Sequence, residues 1–249
     1  MKAKKIIGIV SCKGGVGKST LAVNLSVLLS SFYFKRVGLL DADIHGPNHP
    51  RFLGSSNDLK INIQNKSLIP KKKYNVMSMS MGYFLGQRSS ALLRGPMVSN
   101  TLNYLYTNTQ WDMLDVLIID FPPGTGDVYL SMLRDIKFDG VFLVTTPQTV
   151  SIEDVKRSIF MLNKFNVNIL GILENKKYYE CNTCGSYNYI YGYSDNFKKL
   201  VSEFKISNVY GLPLHMDISK SSNTGIPFIF YESCYQHTLV LNKICQVFL

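Results

Sequence analysis

The fold of this chain is decided by the stretch Ser11-Cys12-Lys13-Gly14-Gly15-Val16-Gly17-Lys18-Ser19-Thr20. It follows an apolar run at residues 5–10, which is typical of a buried strand, and it leads into residues 19–31, whose leucines have helical spacing. Glycines at such a junction let backbone N–H groups converge on phosphate oxygens, and the helix N-terminus adds a positive dipole. The stretch therefore predicts a phosphate-binding loop, with nucleotide contacts from Gly14, Gly15, Val16, Gly17, Lys18, Ser19 and Thr20.

Individual residues of this loop have separate expected roles. Lys18 can reach the β- and γ-phosphates, and Ser19 can coordinate Mg²⁺. The general phosphate-loop pattern begins with Gly, where this chain has Cys12. The backbone at Cys12 must therefore accept a side chain, which is either a small buried residue or a thiol beside the nucleotide.

Outside the loop, short apolar runs alternate with helical patterns. We predict strands at 5–10, 37–40, 115–119, 140–145, 168–173 and 209–212, and helices at 19–31, 98–106, 152–165, 195–204 and 232–248. Apolar runs that do not alternate with polar residues indicate strands buried on both faces. We therefore predict an α/β fold in a single domain over residues 1–249, with one doubly wound, mostly parallel sheet and helices on both faces. The polar, Lys-rich residues 55–75 are expected to form a loop or an exposed edge ribbon.

Composition and charge exclude several classes of protein. The 249 residues are 46% hydrophobic and 18% charged, as in an ordinary globular protein. No apolar run reaches the ~18 residues that a membrane-spanning helix requires. The five cysteines do not form a secreted disulfide framework, and the first residues lack a signal-peptide pattern, so we expect a cytoplasmic protein without a membrane partner. Residues 1–125 hold 15 Lys or Arg against 6 Asp, an excess that fits either an anionic partner or simply solvated lysines.

Carboxylates follow two of the predicted strands. Asp41 and Asp43 come after the run at 37–40, and Asp120 ends the run at 115–119 and precedes Phe-Pro-Pro-Gly-Thr-Gly-Asp127. Carboxylates at strand ends beside a phosphate loop suit second-shell Mg²⁺ binding and placement of the attacking water. Each of them could instead be a helix cap or a turn residue.

A Cys-x-x-Cys pair, Cys181 and Cys184, lies in a Tyr-rich loop at about 176–194. Such a turn presents two sulfurs to one soft metal ion, but a zinc or cluster site usually needs four ligands. Cys234 and Cys245 are eleven residues apart, a poor ligand spacing, whereas two copies of the chain would supply four thiolates around a two-fold axis. A redox disulfide and unused thiols are the other interpretations.

These motifs resemble those of the Mrp/ApbC-type iron–sulfur cluster carrier ATPases, a branch of the MinD/ParA/nitrogenase-iron-protein superfamily. The stretches that carry the resemblance are KGGVGKST, LLDADIHGPNHPRFLG, LLRGPMVSNTL, WDMLDVLIIDFPPGTGDVYLSM, LVTTPQTVSIEDVKR and NILGILENKKYYECNTCG. They lie between residues 13 and 185, and a fainter similarity continues to about residue 230.

The resemblance implies an ATP-dependent homodimer that carries a bridging [4Fe-4S] cluster on Cys181 and Cys184. It implies two kinds of partner: the apo iron–sulfur proteins that receive the cluster, and cluster-assembly factors. It implies that Lys13 crosses the dimer interface to the partner's nucleotide, and that Lys18, Asp43 and Asp120 act in ATP hydrolysis. It further implies that Asp41 lies at the nucleotide site, that Asn175 recognises adenine, and that Pro213 borders the base. Asn175 could instead be a strand-end cap.

The chain departs from the family pattern in the cysteine loop. Asn182 replaces a usual Pro, and Lys176-Lys177 replace a usual Met-Ser, which leaves cluster stability and partner choice open. Two other functions remain as alternatives: a MinD/ParA-like partition or positioning ATPase acting on DNA or membrane, and a zinc-stabilised adaptor. The cysteine pair argues against the first of these, so a nucleic-acid partner is not expected.

Overall fold

The computed structural model describes residues 3–55, 60–62, 67–84, 95–181, 183–193 and 195–249. Asn182 and the start of the LLRGPMVSNTL stretch, residues 92–94, lie outside the described residues. Within the described part, the strands are β1 (Ala3–Val10), β2 (Val37–Asp41), β3 (Lys60–Asn62), β4 (Ser67–Ile69), β5 (Lys71–Lys73), β6 (Val76–Met79), β7 (Leu114–Asp120), β8 (Gly140–Thr145), β9 (Ile169–Glu174), β10 (Tyr179–Glu180), β11 (Tyr187–Asn188) and β12 (Val209–Gly211). The α-helices there are α1 (Lys18–Ser31), α2 (His49–Phe52), α3 (Gly95–Asn108), α4 (Asp127–Asp135), α5 (Thr149–Lys164), α6 (Asp195–Glu203), α7 (Met216–Thr224) and α8 (Tyr235–Val247).

The central sheet has the order β12-β9-β8-β1-β7-β2-β6-β5. Every neighbouring pair is parallel except β5 and β6, which form an antiparallel ribbon at the edge. β1 therefore lies between β7 and β8, and the chain winds outward from it in both directions. This confirms the predicted doubly wound, mostly parallel sheet.

Helices cover both faces of the sheet because successive strand residues point to opposite sides. In β7, Leu117 and Ile119 pack with α3, α4, α5 and α6, whereas Val116 and Ile118 pack with α1 and α8. All four side chains are at most 2% exposed. The strands consequently read as continuous apolar runs in the sequence.

Several elements were not predicted from the sequence, among them β6, α7 and α4. β6 is the run VMSM, which has a single β-branched residue, and α7 is a polar helix with one buried side chain, Ser221. α4 begins directly after the Pro- and Gly-containing run at 122–126, which is typical of a loop, so the sequence did not indicate where the helix starts. Within residues 55–75, expected to form a loop or an exposed edge ribbon, Lys71–Lys73 form β5, the outermost strand of the central sheet. Lysines on an edge strand discourage pairing with another chain.

Two glycines allow α2 and α7 to meet closely below the phosphate loop. Gly225 ends α7 in a left-handed conformation at φ +69°, and a Cβ atom there would lie 2.3 Å from the Cα atom of Gly54. Only a residue without a side chain fits both constraints. The close approach fixes α7, which forms one side of the cavity described below.

Gly225→Ala should lower the free energy of unfolding by about 3 kcal/mol, because overpacking against backbone adds to left-handed strain. Chemical denaturation measures this loss. Gly124→Ala is the matched control: its φ is +87°, but no atom lies within 4 Å of the Cβ position, so only the strain of about 1 kcal/mol applies. Equal losses in the two variants would show that the contact with Gly54 is not limiting.

Candidate functional site

A cavity of about 450 Å³ opens at the carboxyl ends of the central strands. This is where ligands bind in open α/β sheets. Its lining comes from the phosphate loop, from the loops after β2, β7 and β9, and from α7. The lining includes Gly14, Gly15, Gly17, Lys18, Ser19, Thr20, Asp43, Pro123, Asn175, Lys176, Pro213 and His215.

The phosphate loop has the conformation that its glycines predict. Gly15 and Gly17 have φ angles of +76° and +100°, which are left-handed values that favour glycine. Gly17 precedes the first turn of α1 and provides no side-chain cap, so the N–H groups of that turn are left for an anion. Lys18 is only 6% exposed, and its charge is held inside the cavity. The arrangement is suited to binding a polyphosphate.

Cys12 faces away from this cavity. Its Sγ atom lies 2.7 Å from Oγ of Ser158 on α5, and burial raises the pKa of the thiol. Cys12 is therefore a partly buried residue held against a helix. Its backbone carbonyl accepts a hydrogen bond of 2.7 Å from the N–H of Gly124, which ties the glycine-rich loop after β7 to the phosphate loop.

Lys13 and Val16 lie outside the cavity lining. Val16 is buried, and its carbonyl accepts a hydrogen bond from Asn175. Lys13 is half-buried, and its carbonyl accepts a hydrogen bond of 2.9 Å from Oγ of Ser11. Within its own chain, Lys13 is thus part of the phosphate loop but does not line the 450 Å³ cavity.

The strand-end carboxylates divide between the cavity and the interior. Asp43 lines the cavity, whereas Asp41 and Asp120 are at most 1% exposed and do not line it. Asp41 and Asp120 are partners in the parallel register of β2 and β7. Asp41 accepts hydrogen bonds from Oγ of Ser80 and from the N–H groups of Asp43, Asn48 and His49, so it orders the loop that carries Asp43.

His49 is buried beside these two carboxylates. Its Nε2 atom lies 3.0 Å from Oδ2 of Asp120, and one ligand atom from each of Asp41, His49 and Asp120 lies within 4.8 Å of the others. Burial raises the pKa of Asp41. Burial alone would lower the pKa of His49, but the charge of Asp41 and the hydrogen bond to Asp120 outweigh it, and the net direction is upward. The histidine therefore helps to compensate two buried acids, which its position in the sequence did not indicate.

The donor set is compatible with Mg²⁺. Ser19 and Asp43 bring oxygen atoms to the cavity, and Oδ1 of Asp120 is buried without a hydrogen-bond partner among the described residues. Mg²⁺ prefers oxygen ligands and retains several waters, which can reach carboxylates that do not touch the ion. The three side chains thus provide the chemistry that the ion requires.

Asn175 and Pro213 line the cavity and follow β9 and β12 respectively. These strands lie on the other side of β1 from β2 and β7, which end at Asp41 and Asp120. Nδ2 of Asn175 donates 2.7 Å to the carbonyl of Val16, and its Oδ1 accepts from the N–H of Lys176. The Nδ2 end of this amide therefore holds the phosphate loop, and the Oδ1 end holds the backbone of Lys176. The sequence predicted that Asn175 contacts adenine or caps a strand end, and it did not predict the hydrogen bond to the carbonyl of Val16.

Cys181 and Cys184 lie in the small antiparallel hairpin of β10 and β11. The hairpin is closed by hydrogen bonds between Cys181 and Ser186 and between Gly185 and Cys181. Cys181 is half-buried and Cys184 is exposed. Hydrogen bonds from the backbone of Cys184 and Thr183 lower the pKa of Cys181, which favours the thiolate that binds soft metals.

The other cysteines are unsuited to join this pair. Cys234 and Cys245 are buried, and burial raises their pKa values to about 11 and about 12. Tyrosines instead surround the hairpin, with ring centroids 4.8 Å apart for Tyr178 and Tyr187 and 5.1 Å apart for Tyr189 and Tyr193. These tyrosines pack on one another.

A second cavity, of about 690 Å³, separates the cysteine hairpin from α8. Cys181 lines it, and so do Pro213, Leu214 and His215, which also line the nucleotide-side cavity. The N–H of Leu214 donates 2.7 Å to the carbonyl of Tyr178. Residues 213–215 therefore form a wall shared by the two cavities, a feature that no local pattern in the sequence indicated.

The fold, the phosphate loop and the strand-end acids together define a P-loop NTPase. The model of the NUBPL iron-transfer P-loop NTPases matches residues 2–249, and the chain belongs to this family.

Individual relatives agree with this assignment. An iron–sulfur cluster carrier protein of Haemophilus influenzae is 37% identical over 99% of this chain and 64% of its own length. The iron–sulfur cluster transfer protein NUBPL of Dictyostelium discoideum is 39% identical over 90% of this chain and 69% of its own length. A nucleotide-binding protein from Archaeoglobus fulgidus, solved in complex with ADP, is 30% identical, covers 91% of each chain and superposes with a TM-score of 0.77.

The chain spans 64% and 69% of the lengths of these two curated relatives, respectively. Among the described residues, no helix combines the length and apolar character needed to cross a membrane.

His49→Leu should lower the free energy of unfolding by about 3 kcal/mol, because it leaves Asp41 and Asp120 buried without their shared partner. Urea denaturation monitored by circular dichroism measures the change. His45→Leu alters an exposed histidine of the same loop and should change stability by less than about 0.5 kcal/mol. A His49 variant as stable as the His45 variant would contradict this account of the buried acids.

Proposed function

We propose that the chain is an ATP-dependent iron–sulfur cluster carrier that works as a homodimer and transfers a [4Fe-4S] cluster to apoproteins. The observation that carries this proposal is the placement of Cys181 and Cys184 on an accessible hairpin whose base shares a wall with the nucleotide-side cavity. The relatives named as cluster carrier and cluster transfer proteins support the same cargo. We treat residues 1–249 as a single ATPase domain that carries this loop at about 176–194.

The cluster is the cargo, and the thiol count requires a second chain. Each subunit offers two accessible thiols, whereas a [4Fe-4S] cluster is held by four thiolates. Two hairpins that meet at a two-fold axis would supply four. The exposed tyrosines beside the cysteines, Tyr187 and Tyr193, give apolar surface for that contact.

The nucleotide site is assigned as follows. Backbone N–H groups from Gly14 to Thr20 would bind the phosphates, with Lys18 on the β- and γ-phosphates and Lys13 reaching the nucleotide of the partner subunit. Asn175 and Pro213 would border the adenine. Ser19 would hold Mg²⁺ and Asp120 would act through its bound water, and the ion would supply neutralisation of phosphate charge.

We assign the hydrolytic step to Asp43, which lines the cavity. In this proposal Asp43 orients a water molecule that attacks the γ-phosphorus, and the bond to the β,γ-bridging oxygen breaks to give ADP and inorganic phosphate. Asp41 holds the Asp43 loop through four hydrogen bonds and positions that water indirectly. Loss of the γ-phosphate then releases the loop after β7, which Gly124 ties to Cys12.

The nucleotide and the cluster influence each other through residues 213–215. A nucleotide in the first cavity presses on Pro213 and His215, and the bond from Leu214 to Tyr178 passes the change to the strand that precedes Cys181. Such coupling is reciprocal: if ATP weakens the cluster site, the cluster weakens ATP binding by the same factor.

Anaerobic reconstitution with iron and sulfide tests the cargo. The wild-type chain should take up about four irons per dimer, as expected for a cubane cluster, with an absorbance band near ~400 nm. Cys181→Ala/Cys184→Ala should lose both signals, whereas Cys245→Ala, which removes a buried thiol, should retain them. Zinc in place of iron would favour the adaptor function, and retention of the cluster by the double variant would contradict the proposed site.

Alkylation of Cys181 by iodoacetamide tests the coupling. A non-hydrolysable ATP analogue with Mg²⁺ should change the alkylation rate about fivefold or more, the usual size of an allosteric effect. Lys18→Ala, which removes a phosphate contact, should abolish the response. A rate that is the same with and without nucleotide in the wild-type chain would refute the shared-wall coupling while leaving the cluster site intact.

A further inference from the structure

Two consecutive residues after β9 hold two consecutive carbonyls of the phosphate loop. Asn175 donates to the carbonyl of Val16 at 2.7 Å, and Nζ of Lys176 donates to the carbonyl of Gly15 at 2.9 Å. Lys176 also lines the nucleotide-side cavity, as Gly15 and Lys18 do. The family pattern described above usually has Met at this position, so Lys176 is a departure from that pattern.

The backbone at Lys176 is fixed in an uncommon conformation. Its φ is +57°, a left-handed value that costs energy for a residue with a side chain and persists only where the surroundings enforce it. The enforcing contacts are the hydrogen bond from its N–H to Oδ1 of Asn175 and that from the N–H of Lys177 to the carbonyl of Leu212. They send the two lysines apart: Nζ of Lys177 lies 3.6 Å from Oε2 of Glu174, whereas Lys176 reaches the phosphate loop.

The charge balance at the cavity favours an anion. Lys176 is half-buried, and the acceptor that the structure gives its ammonium group is a neutral carbonyl. An ammonium has three donors, and an anionic oxygen adds to such a bond a charge attraction that a neutral carbonyl does not provide. Among the described lining residues, Asp43 is the only carboxylate, against Lys18 and Lys176.

We propose that Lys176 is an additional phosphate-binding residue, whose ammonium group, held over the loop at Gly15, contacts the phosphate oxygens of a bound nucleoside polyphosphate. The inference rests on the proposed function only in that the cavity takes such a nucleotide. Lys176 therefore supplements Lys18, which begins α1, from the segment that follows β9. Its position five residues before Cys181 also places a phosphate contact on the segment that leads into the cysteine hairpin.

Calorimetric titration with Mg·ADP, with a non-hydrolysable Mg·ATP analogue and with inorganic pyrophosphate tests this role in the full chain. Lys176→Met should weaken all three by about tenfold, the worth of one charge-assisted hydrogen bond. Lys176→Arg keeps the charge and should stay within about threefold of wild type. Lys220→Met removes an exposed lysine of α7 that does not line the cavity, and it should change nothing beyond a small charge effect.

Lys176→Gln separates phosphate binding from loop positioning, because the amide can still donate to the carbonyl of Gly15 but carries no charge. We expect it to bind as weakly as Lys176→Met, and to lower the dependence of affinity on salt concentration. Wild-type affinity in Lys176→Gln with weak binding in Lys176→Met would overturn the proposal in favour of a positioning role. Wild-type affinity in Lys176→Met would overturn it outright, and neither result would affect the cluster reconstitution that tests the carrier function.

Discussion

The parallel pairing of β1 between β7 and β8 is the constraint on which the rest of the structure depends. It brings the phosphate loop after β1 and the carboxylate that ends β7 to one edge of the sheet. Every strand in this central group is buried on both faces, so a shift in register would expose apolar side chains to water. The alignment of the strand ends, and with it the geometry of the cavity, is therefore held by the hydrophobic core.

Buried carboxylates at these strand ends have an electrostatic cost, which neighbouring hydrogen-bond donors and His49 offset. Asp41 and Asp120 are neighbours in register and almost fully buried, an arrangement in which two like charges raise each other's free energy. His49 lies beside both, and Ser80 and three backbone N–H groups satisfy Asp41. The same contacts order the loop that presents Asp43 to the cavity. Stability and positioning thus depend on one set of hydrogen bonds.

The cysteine hairpin, in contrast, is not held by the hydrophobic core. It lies outside the central sheet, has two short strands and is lined by exposed tyrosines, so little core packing holds it in place. Its connection to the rest of the protein runs through the backbone bond between Leu214 and Tyr178 and through Asn175 and Lys176 at the phosphate loop. A segment that is weakly packed but tied at its base to a ligand cavity is well placed to respond to that ligand.

The sequence alone determined the features that depend on local backbone geometry. Glycines between a strand and a helix specify the phosphate loop, and apolar runs without alternation specify a sheet covered on both faces. The two cysteines are close in space because they are close in sequence. The tertiary structure decided which contacts join these parts. His49 of α2 lies beside the two acids that end β2 and β7, and Lys176 bonds to the carbonyl of Gly15, 161 residues away along the chain. No local pattern encodes such contacts, because they arise only when the parallel sheet brings the ends of distant strands to the same edge.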